Sequence, residues 1–477
     1  MARQKKPLGL DKYGVQKTMR APDYLGDGVG QLTLAFINSL IGQLTYFYTE
    51  KVGAAAAMVA TAILVPKIID AFSDVVMGKI MDNSNSPKGK CRPWFLRMAI
   101  PSMVNIVLLF TIPKGVSTAV QAIYIIVTNT LMTAVIYTAV AIPYSALQAM
   151  RTRSAEERGT MGIIRTVFNM GGGSLLTLGI IPLTNLLGGD QRAWIISGVI
   201  FGVIACGALI ATYFTAKETA VEEAEKEKKA AREADPDANV PLGQGLSILL
   251  HNKFWVIMAL VSLISGINYG LMGSSNTYYA KYMFGDDNLA SLMGLISYVP
   301  MGLGFALVPL MNKKWGMRNT SLVFFIVGIA GNIVRALFPY NFIIGSVGGA
   351  AGMLAMVPLM CFQGAMLNNC VEYNEWKTGH RLVGLTNSVN SFAGKLSGAV
   401  GGSVIGWTLA IFGYQTGVAA ELQPASVKTG VMVFSIFLPM ALYLIMAILM
   451  KFYTLEKDYG RIVAELNERE AGKANAE

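Results

Sequence analysis

The chain has 477 residues, of which 53% are hydrophobic and 14% are charged, and its formal net charge is +10. A soluble domain usually carries about a quarter charged residues, so this composition excludes an ordinary soluble protein. The positive charge suits a membrane protein whose Lys and Arg gather on the cytoplasmic side. No basic run is interleaved with aromatic residues, and we therefore expect no nucleic-acid partner.

Long apolar runs, separated by charged or turn-rich breaks, make up most of the chain. Each run can cross a hydrocarbon core ~30 Å thick, which takes roughly 20 helical residues. We predict an all-α membrane protein with twelve transmembrane helices in two pseudo-symmetric six-helix halves. The predicted spans are 24–49, 53–82, 93–113, 118–149, 158–186, 191–215, 252–283, 288–312, 318–338, 341–371, 382–412 and 427–454.

A highly charged segment, 217–245, lies between the sixth and seventh predicted spans. It begins with a helix-favouring sequence and is then broken by prolines, which is typical of a linker. The N-terminus is basic and no apolar stretch follows it at once, so we do not expect a cleaved signal peptide. The predicted domains are a cytosolic arm (1–23), an N-terminal half (24–216), a cytosolic linker (217–245), a C-terminal half (246–454) and a cytosolic tail (455–477).

Loops rich in Lys and Arg alternate with loops poor in them along the chain, and this pattern predicts the orientation in the membrane. The poor loops contain Lys51, Lys114, Arg192 and Lys428. By the positive-inside rule the rich loops are cytoplasmic, and both termini then lie on the cytoplasmic side of a plasma membrane. Besides the linker and the tail, the rich loops contain Arg3, Lys5, Lys6, Lys12, Lys17, Arg20, Lys88, Lys90, Arg92, Arg151, Arg153, Arg158, Lys313, Lys314 and Arg318.

Two segments of the first half have similar counterparts in the second half. GKIMDNSNSPKGKCRP, after the second span, has a shorter counterpart in VPLMNKKWGMRN, and RGTMGIIRTVFNMGGG has one in RLVGLTNSVNSFAGK. Two similar six-helix halves are typical of the major facilitator architecture. Chance similarity among glycine-rich helices is the alternative. The glycines of these helices are expected to allow close helix packing rather than phosphate binding.

The second span contains three charged residues on one helical face. Lys67, Asp70 and Asp74 are spaced i, i+3 and i+7, and Ser73 lies beside them. Two carboxylates one turn apart repel each other unless a cation, a proton or Lys67 neutralises them. We predict a coupling-ion site for H⁺ or Na⁺ here, and no other metal site. A structural ion pair between Lys67 and Asp70 is the alternative.

Two more cations lie inside predicted spans. Arg165 is in the fifth span and Lys395 is in the middle of the eleventh. Charges persist inside a membrane mainly where they have a role. They either offset the acids of the second span or bind the hydroxyls or the carboxylate of a solute. Snorkelling to the interface suits Arg97 and Lys79 better, because these lie near span ends.

Polar residues in the first span and at the end of the tenth give two weaker predictions. Gln31 and Asn38, which follow Asp27 in the first span, either face a solute cavity or form helix–helix hydrogen bonds. Glu372, Glu375 and Arg381 follow the tenth span, and they form either a cytoplasmic gate or a solvated helix end.

The sequence contains no pattern for enzyme chemistry. Two histidines and four cysteines, none at metal-ligand spacing, predict no zinc site. No P-loop or hydrolase motif stands in a suitable context. We therefore expect neither catalysis nor a cofactor. The cysteines are Cys91, Cys206, Cys361 and Cys370.

Several motifs together resemble the glycoside–pentoside–hexuronide:cation symporter family. They are YFYTEKVG, KIIDAFSDVVMGKIMD, KGKCRPW, AIPYSAL, ERGTMGIIR and VEYNEWKTGHR, in consistent order along nearly the whole chain. The resemblance implies that Asp70, Asp74 and Thr138 form the cation site. Ser73 stands where the family has an asparagine, a departure that argues against Na⁺ and leaves H⁺ or Li⁺ open. The resemblance also implies that Arg165 and Lys395 bind the solute.

The resemblance is weaker at the sugar site. The family's first-helix aspartate falls on Leu34, or near Gln31 if three residues are inserted. Its fourth-helix aspartate and tryptophan fall on Ala141 and Ser145, beside the aromatic Tyr144. The acids that recognise galactosides are therefore missing. This implies a different glycoside, a pentoside or a uronide, with a carboxylated sugar as the favoured class.

These observations predict a monomeric symporter that works by alternating access. The cation binds at Asp70 and Asp74, and the solute binds between the halves near Arg165 and Lys395, with Tyr144 beside it. A related transporter of amphiphilic lipids is one alternative. A membrane receptor or scaffold, which binds a solute without moving it, is the other.

Overall fold

The structure is a computed structural model that describes residues 8–11, 15–82, 84, 89–218 and 240–474. In these residues the regular elements are helices, and one β-bridge pairs Leu10 with Gln16. The predicted all-α class is therefore confirmed. The chain divides into two compact units, Met1–Arg232 and Glu233–Glu477. Most of the predicted linker lies outside the described residues, so the predicted domain limits remain a prediction.

The helices of the first unit include two π-helical segments, in which the backbone winds more widely than in an α-helix. One, Phe47–Lys51, extends the first helix, and the other, Leu131–Tyr137, joins the fourth helix to the fifth. The α-helices are α1 (Ala21–Tyr46), α2 (Ala56–Asp82), α3 (Arg92–Phe110), α4 (Thr118–Thr130), α5 (Thr138–Arg151), α6 (Ala155–Leu186) and α7 (Gln191–Thr215).

The second unit also contains π-helical segments, at Ala280–Phe284 and Val433–Phe437, and a short 3₁₀ turn at Ala420–Leu422. Its α-helices are α8 (Leu242–Leu250), α9 (Lys253–Tyr279), α10 (Leu289–Leu337), α11 (Phe342–Thr378), α12 (Val383–Ile411), α13 (Ala425–Met432), α14 (Leu438–Phe452) and α15 (Leu455–Ala474).

Nine helical segments of the described chain are long and apolar enough to cross a membrane. One of them is the 49-residue α10, which is interrupted at Gly316, where φ is 78° and ψ is 169°. This backbone region is open to glycine and strained for other residues. α1 and α12 are not among the nine. The predicted number of twelve spans is therefore not established by helix length and composition.

Glycines allow close helix contacts within each unit. In the first unit a Cβ added to Gly172 of α6 would lie 2.7 Å from Leu32 of α1. In the second unit a Cβ on Gly401 of α12 would lie 2.1 Å from the carbonyl oxygen of Ile267 on α9. A larger residue at Gly401 would meet backbone and force α12 away from α9, whereas at Gly172 the Leu32 side chain would have to shift. The glycines therefore serve packing, as predicted.

A glutamate just after α7 caps the start of α3. Glu218 accepts hydrogen bonds from the N–H groups of Lys90 (2.8 Å), Cys91 (2.9 Å) and Arg92 (2.8 Å). The side chain of Arg92 returns to α7, where its Nε donates to Tyr213 O at 2.7 Å. Backbone groups that a helix leaves unpaired at its ends are thereby satisfied.

The second unit repeats this arrangement at the interruption in α10. Glu456, which follows α14, accepts from Arg318 N at 2.9 Å, and Arg318 Nε donates to Met450 O near the end of α14 at 3.0 Å. Gly89 and Gly316 both have positive φ, and each faces the capping glutamate of its own unit. The sequence similarity predicted for these two loops thus has a structural counterpart.

Candidate functional site

Four oxygen-bearing side chains meet where α2 passes the start of α5. The hydroxyl of Thr138 lies 3.2 Å from Asp70 Oδ1 and 3.3 Å from Asp74 Oδ1. Ser73 Oγ lies 3.0 Å from the same Thr138 hydroxyl. The structure therefore brings together all four residues that were predicted to bind the cation.

The backbone positions Thr138 at the end of a π-helical segment. The Thr138 hydroxyl is 3.2 Å from the carbonyl oxygen of Thr133, five residues earlier. A π-helical turn widens the helix and loosens its regular hydrogen bonding, and such turns are frequent at functional sites. The local fold thus adds a backbone oxygen near the carboxylates.

The Thr138 hydroxyl lies among more oxygen acceptors than it can donate to. The Thr138 hydroxyl carries one proton, yet Asp70, Asp74 and Thr133 each place an acceptor within 3.3 Å of it. The Ser73 hydroxyl lies 2.8 Å from Asp70 O, to which it can donate, and its oxygen then faces Thr138. Asp70 is 3% exposed. A bound cation or proton would relieve the repulsion between these oxygens.

Lys67 was predicted as the charge partner of the two acids. It lies one turn before Asp70 on α2 and is half-buried. Its pairing with either carboxylate remains a prediction. In the described chain no group of three or more His, Cys, Asp or Glu residues is arranged to hold a metal ion. Binding of Na⁺ by the two acids with hydroxyl oxygens also remains a prediction.

A second charged cluster surrounds Asp27, which is fully buried on α1. Arg165 of α6 binds this carboxylate with two nitrogens of one guanidinium edge, Nε to Oδ2 at 2.6 Å and Nη2 to Oδ1 at 2.9 Å. Arg151 adds a third contact, from Nη1 to Oδ1 at 3.2 Å. Such bidentate pairs are strong and fix the geometry of both side chains.

Tyr144 completes the cluster around Arg165. Its hydroxyl donates to the backbone oxygen of Asp27 at 2.6 Å, and its ring lies 4.0 Å from the guanidinium carbon of Arg165. Arg165 and Tyr144, both predicted to bind the solute, are therefore held together through Asp27.

The sequence reasoning missed that Asp27 is the partner of Arg165. It paired Arg165 with the acids of the second span or with a solute, and its alignment pointed to Leu34. Leu34 is an apolar core residue, 4% exposed. The available signal was an acid and an arginine inside two different spans, since each such charge calls for a partner.

The other predicted solute-binding residues are more dispersed. Gln31 lies one turn after Asp27 and is half-buried. Asn38 is exposed, and its Nδ2 donates to the hydroxyl of Tyr137, the neighbour of Thr138, at 3.1 Å. Lys395 lies on α12 in the second unit and is half-buried. Its contribution to a solute site remains a prediction.

One residue of the predicted cytoplasmic gate, Glu372, is bonded to the tail helix, and the other two pair with each other. Arg381 Nε lies 3.5 Å from Glu375 Oε2, as an ion pair at the end of α11. Glu372, however, accepts a hydrogen bond from Tyr459 of α15. Burial raises the pKa of Tyr459 to about 12, and this bond to Glu372 acts in the same direction. The phenol therefore stays protonated and remains a donor at neutral pH.

Comparison with known proteins identifies the family. The model of the family described as MFS/sugar transport protein matches residues 26–457. The chain belongs to this family. It is 29% identical over 437 residues to the isoprimeverose transporter of Lactiplantibacillus pentosus, with 90% of this chain and 87% of that protein covered. The resemblance inferred from the motifs is confirmed.

Other relatives agree with this assignment. The inner membrane symporter YicJ of Escherichia coli (strain K12) is 30% identical over 451 residues, with 92% of each chain covered. The putative glycoside/cation symporter YagG of the same organism is 29% identical, covering 92% of this chain and 93% of that protein. The protein is thus a multi-pass membrane protein of a sugar-transporter family, rather than a member of an enzyme family.

Solved structures support the fold alone, because their sequences are distant. The D-xylose–proton symporter has a TM-score of 0.61 at 14% identity, covering 91% of this chain and 97% of that one. The nucleoside transporter NupG has a TM-score of 0.60 at 12% identity, covering 91% of this chain and all of that one. The major facilitator fold predicted from the sequence agrees with both.

Proposed function

We propose that this protein carries a small sugar or glycoside across the membrane together with a monovalent cation, by alternating access. The observation that carries the proposal is the oxygen cluster on α2 and α5. There the single proton of Thr138 faces the carboxylates of Asp70 and Asp74. A mobile cation at these acids would couple ion binding to the conformation of the helices.

We propose Na⁺ as the first ion to test. A proton needs only one carboxylate oxygen, whereas a hard metal ion prefers several oxygen ligands at once. The hydroxyls of Ser73 and Thr138 lie 3.0 Å apart beside the acids and would add such ligands. H⁺ and Li⁺ are the competing ions.

We propose a neutral glycoside as the solute rather than a uronide. The guanidinium edge of Arg165 already binds Asp27, so a solute carboxylate would have to displace that acid. The hydroxyls of a neutral sugar would instead accept from the exposed part of Arg165 without displacing Asp27. Relatives named for isoprimeverose and for a glucuronide carrier represent the two classes. This proposal departs from the carboxylated sugar favoured by the sequence.

We also propose twelve spans, with both termini cytoplasmic. α1 and α12 would complete the set of spans, and the interruption at Gly316 would separate two spans within α10. The orientation follows from the distribution of Lys and Arg among the loops. Cysteine labelling of each terminus in intact cells would test it.

Uptake into proteoliposomes tests the coupling. Labelled neutral glycosides and uronides are supplied with a Na⁺ gradient, with a pH gradient, or with neither. We expect Asp70→Asn and Asp74→Asn each to abolish concentrative uptake while leaving exchange or binding. Glu156→Gln, an exposed acid outside the cluster, is the matched control. Full concentrative uptake by both cluster variants refutes the ion site, and binding without any uptake in wild type favours a receptor.

A further inference from the structure

An arginine is buried near the end of α10 in the second unit. Arg335 is 3% exposed, and its Nη1 donates to Ser435 O at 3.2 Å. Ser435 belongs to the π-helical segment Val433–Phe437. Arg335 forms no ion pair with a carboxylate of the described chain, and its Nε and Nη2 are buried without a hydrogen-bond partner there.

The two unsatisfied nitrogens form one edge of the guanidinium. Nε–H and the adjacent Nη2–H point in parallel, and they are the fork that binds carboxylates and other anions. Arg165 in the first unit uses the same fork to bind Asp27. Arg335 has the fork, but the described chain supplies no acid to fill it.

An aromatic ring and small residues of α11 surround Arg335. The ring of Tyr279 lies 3.7 Å from the guanidinium carbon and stabilises part of its charge. On α11, two glycines face Arg335, and a Cβ on Gly349 would lie 3.5 Å from Nη1. Ser346, on the same turn of α11, is 1% exposed, and its hydroxyl also lacks a hydrogen-bond partner among the described residues.

The positive charge of Arg335 determines which ligand would bind at its Nε–Nη2 edge. Water would satisfy the N–H groups but would leave the buried positive charge uncompensated, which is costly in the protein interior. An anion satisfies the donors and the charge together. We propose that the Nε–Nη2 fork of Arg335, beside Tyr279, binds a small inorganic anion of the chloride class. This site is separate from the coupling-ion cluster and is independent of the transported solute.

A halide titration of the purified full-length protein tests the proposal. In sodium gluconate buffer, we expect added NaCl or NaBr to raise the Tm by about 2–4 °C and to saturate, whereas added gluconate does not. Arg335→Gln should abolish this shift. Arg97→Gln, which alters an arginine that lies over the Trp94 ring, should keep it.

Crystals or frozen samples prepared in bromide locate the ion directly. We expect a bromide peak within hydrogen-bond distance of Nε and Nη2 of Arg335. If Arg335→Gln does not fold, the bromide peak and the halide titration of the wild-type protein still test the anion site. A Tm that is insensitive to halide, an equal halide shift in Arg335→Gln, or a halide-insensitive water at the fork would each overturn the proposal.

Discussion

Arg165 of α6 binds the fully buried Asp27 of α1 with two parallel hydrogen bonds of 2.6 and 2.9 Å. The pair crosses between two helices that pack against each other, and Tyr144 is bonded to it from a third. Arg165 therefore has a carboxylate partner before any solute arrives. A solute that uses Arg165 meets an arginine whose position is already fixed.

Removing the charge of Asp27 should therefore destabilise the protein. Asp27→Asn leaves Arg151 and Arg165 without their shared carboxylate, and breaking a buried pair costs about 3–5 kcal/mol. We expect a clear fall in Tm, measured by differential scanning fluorimetry. Adding Arg165→Met to this variant should recover part of the Tm but not glycoside binding. Recovery of both would show that Arg165 has only a structural role.

The hydroxyl of Thr138, rather than the size of the side chain, should determine the cation dependence of glycoside uptake. Thr138→Val keeps the shape but removes the oxygen that lies between Asp70 and Asp74. We expect Thr138→Val to lose most of the cation dependence of glycoside uptake, while Thr138→Ser retains it. The measurement is the initial uptake rate as a function of Na⁺ concentration and of pH. Equal cation dependence in the two variants contradicts the role of the hydroxyl.

The N-terminal arm should stabilise the first unit through Glu157. This carboxylate is 1% exposed and accepts from Thr18 N at 3.0 Å and from Met19 N at 2.8 Å. Glu157→Ala leaves the buried N–H of Met19 unsatisfied, which costs about 1–3 kcal/mol. The N–H of Thr18, an exposed residue, can bond to water instead. The neighbouring Glu156→Ala breaks only the exposed pair with Lys17, worth about 0–1 kcal/mol. Equal Tm values for the two variants would contradict this difference.

Glu456 gives a prediction about pH. Burial raises the pKa of its carboxyl above the ordinary value of 4.5, although hydrogen bonds from the backbone of Arg318 and Met317 oppose this. The folded protein therefore binds this proton more tightly than the unfolded chain does. The resulting stability is fully present below pH 4.5 and is lost as the pH rises through the folded pKa. We expect the Tm of Glu456→Gln, relative to wild type, to rise between pH 4 and pH 8. A constant difference would contradict the raised pKa.

Periodicity and composition were enough to predict the all-α class and the face of α2 that carries Asp70, Ser73 and Asp74. These residues lie within one and a half helical turns, so their spacing determines their proximity. Thr138 is 64 residues further along than Asp74, and only the resemblance to the family pointed to it. Its place beside the acids depends on the packing of α5 against α2, which no local pattern encodes.

Two further contacts could not be predicted from the sequence for the same reason. The pairing of Asp27 with Arg165 joins residues 138 positions apart. The tail was treated as a plain cytosolic segment, yet its helix α15 binds the end of α11, where Trp376 Nε1 donates to Glu465 at 2.6 Å. Arg469 of the same helix also contacts α11, because its Nη1 donates to Trp376 O at 2.9 Å.

The most direct test of the account is the binding of radiolabelled Na⁺ to the purified protein in detergent. We expect saturable binding to wild type, competition by Li⁺ and by low pH, and no saturable binding to Asp70→Asn or Asp74→Asn. Glu156→Gln should bind as wild type does. Undiminished Na⁺ binding by the two α2 variants would contradict the claim that these carboxylates hold the coupling ion.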